Sequence, residues 1–426
     1  MKYDLIIKNG KVVDGSGIPG FYADVGVSGN RIVEVGQVSG DARRVLDADG
    51  LVVAPGIIDN HTHYDAQVTW DPLCTYSCYH GITTVVMGNC SLAMAPAHRE
   101  DREMLAGVLS HVEAIPLEAI QAGVNWSWET IPEYLNALDQ RLGINVAALI
   151  GHSAVRRYVM GEASQERQAT DDEVAAMKAI VREGLEAGAV GISFERNLRH
   201  FDWNGRLAPT NLASEEEIFA VAAVADEAGR GVIQFGGDRS ISTRLAKASR
   251  RPVFYGNITQ QAVAPDKWRK QLGEAESLMR QGHRAYQFVM PRPGDLRYTL
   301  KTAQHFDAMA TWKTVMLLPH DLRTKAFRDP ETRAKLHREA VETPMDTNRA
   351  GDFTRRWDLQ FVFKPALPKN QHLKGKSLAA LAREQNKDVL DAFLDLALEE
   401  NLETEFERRE VNSDEAAMTA LLTSPY

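Results

Sequence analysis

The chain has 426 residues, of which 44% are hydrophobic and 25% charged, the proportions of a globular protein long enough for a large core and a second small domain. Its formal charge of -9, with no long Lys/Arg run, argues against nucleic acid or an anionic membrane as partner, since neither would find a basic footprint. No apolar stretch approaches the roughly 18 residues of a membrane span; the cysteines, Cys74, Cys78 and Cys90, form no even framework, and no leader is legible, so a reducing cytoplasm is expected.

The first fifty residues read as a small β domain. Tyr3–Lys8 and Gly10–Val13 flank Asn9-Gly10, and Ala23–Val27 and Arg31–Val35 flank Gly29-Asn30, two hairpin signals. From residue 51 short apolar strands alternate with helical patterns, the signature of βα units on a parallel sheet. Seven strands can be counted: Leu51–Ile58, Thr83–Met87, Asn145–Ile150, Ala189–Phe194, Gly231–Phe235, Pro252–Asn257 and Arg284–Met290. Helices lie between them, such as Asp171–Ala187 with Thr170 or Asp171 as N-cap, and a second from Ser214 to Ala228 with Ser214 as N-cap. A (β/α)8 barrel needs an eighth strand, and its chemistry sits at the C-terminal strand ends. None is legible after the seventh. The chain continues through a long insertion, where Trp357–Phe363 reads as an extra strand, into helical stretches Ser377–Arg383 and Asp388–Asn401. The expected architecture is an incomplete (β/α)8 TIM-like barrel over residues 54–426, with a small N-terminal β-sandwich portion over residues 1–53.

His61-Thr62-His63 stands where the first barrel strand ends. Residues at i and i+2 of a strand share a face, so two imidazoles there can grip one divalent ion. Two His alone fall short of a three-ligand catalytic set, and the pair could be unrelated polar residues. The surrounding stretch, Gly56-Ile57-Ile58-Asp59-Asn60-His61-Thr62-His63-Tyr64-Asp65, resembles the first barrel strand of the amidohydrolase superfamily. Gly88-Asn89-Cys90-Ser91 after strand two resembles the Gly-Asn-Cys motif of its N-acyl-D-amino-acid deacylase (D-aminoacylase) group. The resemblance implies a metal held by His61, His63 and the Cys90 thiolate, a set that suits zinc. Without it, Cys90 would read as a small buried hydrophobe. Cys74 and Cys78 read as core thiols.

Gly151-His152-Ser153-Ala154-Val155-Arg156 after strand three resembles a segment of the same group. His152 is the tentative catalytic histidine, its alternative a ring satisfied by the backbone. Arg196, Asn197, Arg292 and Arg156 are the candidate substrate-binding residues, because a guanidinium captures a carboxylate in bidentate fashion; a loop salt bridge is the plainer reading of each arginine. The remaining histidines, including His111, His200 and His305, are assigned to surface or packing. Relatives carry His at the ends of strands five and six, where this chain has Gln234 and Tyr255-Gly256-Asn257. Amides are poor zinc ligands, and Asp238 offers only one oxygen, so one ion is expected.

Such an ion would activate water for attack on an amide carbon. The resemblance implies an N-acyl amino acid as substrate, with a cyclic amide, imide or urea, or a non-catalytic scaffold, as alternatives. In the family the general base is an Asp of strand eight, which no residue here matches. Two explanations are open: an inactive relic, or a split enzyme. The second is preferred, with another polypeptide bringing that Asp, the last strand and the rest of the sandwich, in a higher oligomer of heterodimers, because an open sheet edge invites aggregation.

Overall fold

The computed structural model describes residues 2–139, 142–343 and 353–425. By internal contacts the chain divides into two units, one of residues 1–59 and 75–85, the other of residues 60–74 and 86–426.

In the first unit, β1 (Tyr3–Val12) pairs antiparallel with β2 (Phe21–Ser28), and β2 with β3 (Arg31–Gly36); β4 (Ala42–Asp47) and the short β5 (Val52–Val53) lie parallel to β1. The Gly29-Asn30 hairpin forms as expected between β2 and β3. Asn9-Gly10 does not turn the chain. β1 runs through it with a register shift between Ile7 and Gly10. Asn9 takes a left-handed conformation, φ 63°, and is held by side chains of the flanking strands: its N–H donates to Asp24 at 2.9 Å and its amide to Asp47 at 3.0 Å. A β-bulge uses the same Asn-Gly chemistry as a hairpin.

The expected first barrel strand, Leu51–Ile58, is two strands. β5 ends at Val53, and after Ala54-Pro55-Gly56 comes β6 (Ile57–Asp59). β6 opens a curled parallel sheet that continues through β7 (Ile82–Met87), β8 (Asn145–Gly151), β9 (Gly191–Glu195), β10 (Val232–Gly236), β11 (Val253–Ile258) and β12 (Ala285–Val289), in that spatial order. These are the seven expected strands, an α/β half-barrel. Among the described residues β6 is the sheet's outer strand, so Ile57 and Ile58 stay 56% and 61% exposed.

Inner strands bury both faces, as parallel sheets flanked by helices do. Ile192, Phe194, Ile233, Phe235 and Val253 are fully inaccessible. The helix Asp171–Ala187 forms at the expected bounds. Its capping box has Thr170 accepting from the Glu173 N–H at 3.3 Å and Glu173 accepting from the Thr170 N–H at 2.8 Å. Met177, Val181 and Leu185, four apart, are the buried stripe. Beyond β12 the insertion builds a core of its own around Phe306, Trp312, Phe393 and Phe406. It carries a small antiparallel sheet of β13 (Leu296–Tyr298), β14 (Gln360–Lys364) and β15 (Glu405–Arg408) in the order β13-β15-β14. The expected extra strand at Trp357–Phe363 is β14 preceded by a turn of 3-10 helix.

Candidate metal centre

Past β6 the chain leaves regular strand, and Thr62 pins it. The Thr62 N–H donates to the Val86 carbonyl at 3.0 Å and its hydroxyl to the same oxygen at 2.8 Å. With Thr62 held against the end of β7, His61 and His63 are left to face elsewhere. Their rings lie 5.3 Å apart at 70°.

Cys90 arrives on a tight turn after β7. Gly88 (φ 77°), Cys90 (φ 53°) and Ser91 (φ 63°) all take positive φ, and at Gly88 a Cβ would sit 2.2 Å from the Leu149 carbonyl oxygen. Only glycine fits there. Asn89 donates to the Val86 carbonyl at 3.0 Å, and the Ser91 hydroxyl contacts those of Ser153 at 3.0 Å and Thr210 at 2.7 Å. The turn presents Cys90 Sγ 3.2 Å from His61 Nε2. One ligand atom from each of His61, His63 and Cys90 can be chosen so that all lie within 4.8 Å of one another.

The donors suit a cation. Burial holds His61 at about 3, helped by the nearby His63, and His63 at about 4, so both are neutral imidazoles at physiological pH. The Cys90 thiol is pushed well above its usual range by burial, then by Glu195, Glu113 and Asp65. Burial likewise raises Asp65, Glu113 and Glu195 each to about 7. Burial thus favours the protonated forms of these acids, and a divalent ion bound beside them, where His63 Nε2 lies 3.5 Å from Glu113 Oε1, would favour the ionised ones. Two imidazole nitrogens and one sulfur are zinc-type ligands that leave a position open.

His61 and Cys90 line a cavity of about 1160 Å³ with Glu195, Arg196, Asn197, His200, Gln234 and Asn257 among its walls. Arg196 and Asn197, two of the four candidates for substrate binding, thus line the cavity. Gly236 makes room for Glu195: a Cβ there would come 1.6 Å from its carboxylate. Three other candidates do not reach the cavity. His152 begins the helix His152–Met160, fully buried, with Nδ1 3.0 Å from the Thr210 hydroxyl and Nε2 3.2 Å from Glu217. Arg156, one helical turn on, donates to Glu217 at 2.8 Å and to the carbonyls of Ser164, Pro209 and Arg167. Both lie in the protein interior away from the cavity, carried there by a helix that starts directly after β8. Arg292 is exposed and donates to the Pro293 carbonyl at 3.3 Å, outside the cavity. Asp238 lines the wall but spends a carboxylate oxygen capping the helix Arg239–Ala248.

Sequence reasoning named neither Glu113, the last residue of the helix Arg102–Glu113 and a neighbour of His63, nor the place of His200 in the cavity wall. Neither lies near a motif. Asp65 was within reach, continuing the alternation of His61 and His63.

A profile of the amidohydrolase family matches residues 44–360. The chain belongs to the amidohydrolase family. Among its relatives, this amidohydrolase is 39% identical over 194 residues to a D-aminoacylase of Alcaligenes xylosoxydans xylosoxydans, covering 45% of this chain and 37% of that one. It is 32% identical over 328 residues to an N-acyl-D-glutamate deacylase of the same organism, covering 74% of this chain and 62% of the relative. A crystal structure of D-aminoacylase superposes over 99% of this chain and 74% of its own, at TM-score 0.62 and 25% identity. The amidohydrolase thus spans less than two thirds of each of these two curated relatives. D-aminoacylase carries the matching fold within one polypeptide, which overturns the expectation of a second polypeptide and of heterodimers built on it.

Proposed function

We propose that this amidohydrolase uses one zinc ion to hydrolyse the amide bond of N-acyl amino acids, the D series foremost. The observation that carries the reading is the convergence of His61, His63 and Cys90 beside a cavity whose walls also hold Arg167, Arg196, Arg199, Arg239 and Lys267. When bound there, the ion would polarise a carbonyl and bring the pKa of water from 15.7 down to about 7. The chain's own residues divide the remaining work. His61 and His63 offer neutral nitrogens, Arg196 and Asn197 receive the substrate carboxylate, and Glu195 is a buried carboxyl able to exchange a proton near neutral pH. Gln234 and Asn257 are amides, which favours one ion over two. The names of the two curated relatives support the N-acyl-D-amino-acid class.

Among the described residues no helix is long and apolar enough to cross a membrane, and Cys74, Cys78 and Cys90 form no disulfide; a reducing cytoplasm fits them. For domain organisation, we take residues 1–53 as the sandwich portion and 54–426 as the barrel portion.

The test is to strip the purified chain with a chelator, reload zinc, and follow amine release from N-acetyl-D- and N-acetyl-L-amino acids beside metal analysis. About one zinc per chain and turnover of the D series are expected, with both lost in His61→Ala. A chain that holds one zinc yet releases no amine from any of them would sink the catalytic reading.

A further inference from the structure

Gln234 is one residue whose hydrogen bonding is left half finished. It is 1% exposed on β10 and lines the cavity with His61 and Cys90. Its side-chain oxygen accepts from the Cys90 backbone N–H at 2.9 Å. That bond orients the carboxamide: an N–H needs an acceptor, so oxygen must face Cys90 and the NH2 must point the other way. Among the described residues, Nε2 meets no acceptor. Leaving a buried donor unmet costs about 1–3 kcal/mol, whereas the neighbouring hydroxyls of Ser91, Ser153 and Thr210 satisfy one another.

Unmet donors held rigidly beside a reaction site await an oxygen from a ligand. The carboxylate of an N-acyl amino acid has Arg196 and Asn197 to receive it. With an ion on His61, His63 and Cys90 polarising the scissile amide, the oxygen brought to this corner of the cavity would be the amide carbonyl. We infer that Gln234 Nε2 donates a hydrogen bond to the carbonyl oxygen of the scissile amide and strengthens that bond as negative charge gathers on the oxygen in the tetrahedral adduct. Preorganisation gives the donor its worth, because the Cys90 N–H has already fixed its direction before substrate arrives. This inference rests on the hydrolase reading above.

Two variants separate the donor from the acceptor. Gln234→Met keeps the length and removes both functions; Gln234→Glu, assayed at pH 8.5, above the value of about 7 to which burial raises Glu195 in the same cavity, keeps the oxygen for the Cys90 N–H and, once ionised, removes the donors. With zinc-loaded protein, both are expected to lower kcat about 10²–10³-fold, the size of one oxyanion donor, with zinc content and KM near those of the parent. A phosphonate analogue of the N-acyl substrate, a tetrahedral mimic, should bind both variants about 10²-fold more weakly in calorimetry, while the free amino acid product binds as before. If the parent turns over substrate and both variants match it, the assignment of Gln234 is overturned while the hydrolase reading stands. Impairment confined to Gln234→Met, or zinc lost from both variants, would show that Gln234 serves the Cys90 backbone, and overturns it too. A parent that neither turns over substrate nor binds the phosphonate ends the hydrolase reading and takes this one with it.

Discussion

His305 is 2% exposed, and neither ring nitrogen has a hydrogen-bond partner among the described residues. Its ring packs edge-on against Tyr298 at 4.2 Å and beside Phe306 at 4.1 Å. Burial, then the charges of Arg408 and Arg199, hold its pKa well below the usual 6.5, so the folded protein keeps it neutral. The unfolded chain does not. As pH falls through 6.5 the unfolded state binds a proton that the folded state refuses, so this group's effect is absent above that pH. Below it, stability is lost at about 1.4 kcal/mol per pH unit until the depressed folded pKa is reached. His305→Phe keeps a ring and removes two unsatisfied nitrogens. It should be more stable than the parent at pH 7.5, and the gap should widen at pH 5.5, measured by urea midpoint at both. An equal gap at the two values would mean that His305 has a partner for its proton. At this scale the sequence is legible where chemistry is contiguous. His61, His63 and Cys90 sit in short motifs, whereas Glu113 and the spare donors of Gln234 are brought to the site by folding, and no local pattern marks them.

Strands and helices were legible by periodicity because buried faces impose it: β7 to β12 and the helix Asp171–Ala187 lie within a few residues of their expected bounds. Errors came where one signal serves two structures, as at Asn9-Gly10, or where an apolar run spans two sheets, as Leu51–Ile58 does. Between elements the decisive piece is the turn after β7. Gly88 is left-handed and its missing side chain lets the backbone meet Leu149, so Gly88→Ala should suffer twice. The conformation costs about 1–2 kcal/mol and the clash with a carbonyl about 1–3 kcal/mol more. Gly229, at φ 65° with nothing within 4 Å of an added Cβ, separates the two: Gly229→Ala should show only the conformational part. Urea unfolding with unchanged slope reads both. Equal losses would place the whole effect in backbone conformation and leave the Leu149 contact without weight. Because Cys90 lies two residues on, Gly88→Ala alone should also weaken zinc binding.

For the molecule as a whole, counting strands reads what this chain can pair, and it found seven. How relatives distribute the same fold over polypeptides is not written in the pairing pattern, which is why the two-chain expectation failed. The candidate metal site offers a test on the larger unit. His61 and His63 come from the segment 60–74 and Cys90 from the turn after β7, so an ion would tie together stretches that unfolding separates. Binding to the folded state alone stabilises it by RT ln(1 + [L]/Kd), about 2.7 kcal/mol when free zinc is 100 times its dissociation constant. In a chain of this size that is a rise of a few degrees in Tm. Zinc should raise the Tm of chelator-stripped protein, the rise should grow with the logarithm of free zinc, and chelator should reverse it. His63→Ala and Cys90→Ser should each flatten the response. A parent Tm indifferent to zinc across that range would remove the metal from this site, whatever its donors suggest. A response that survives both substitutions would place the ion elsewhere in the fold.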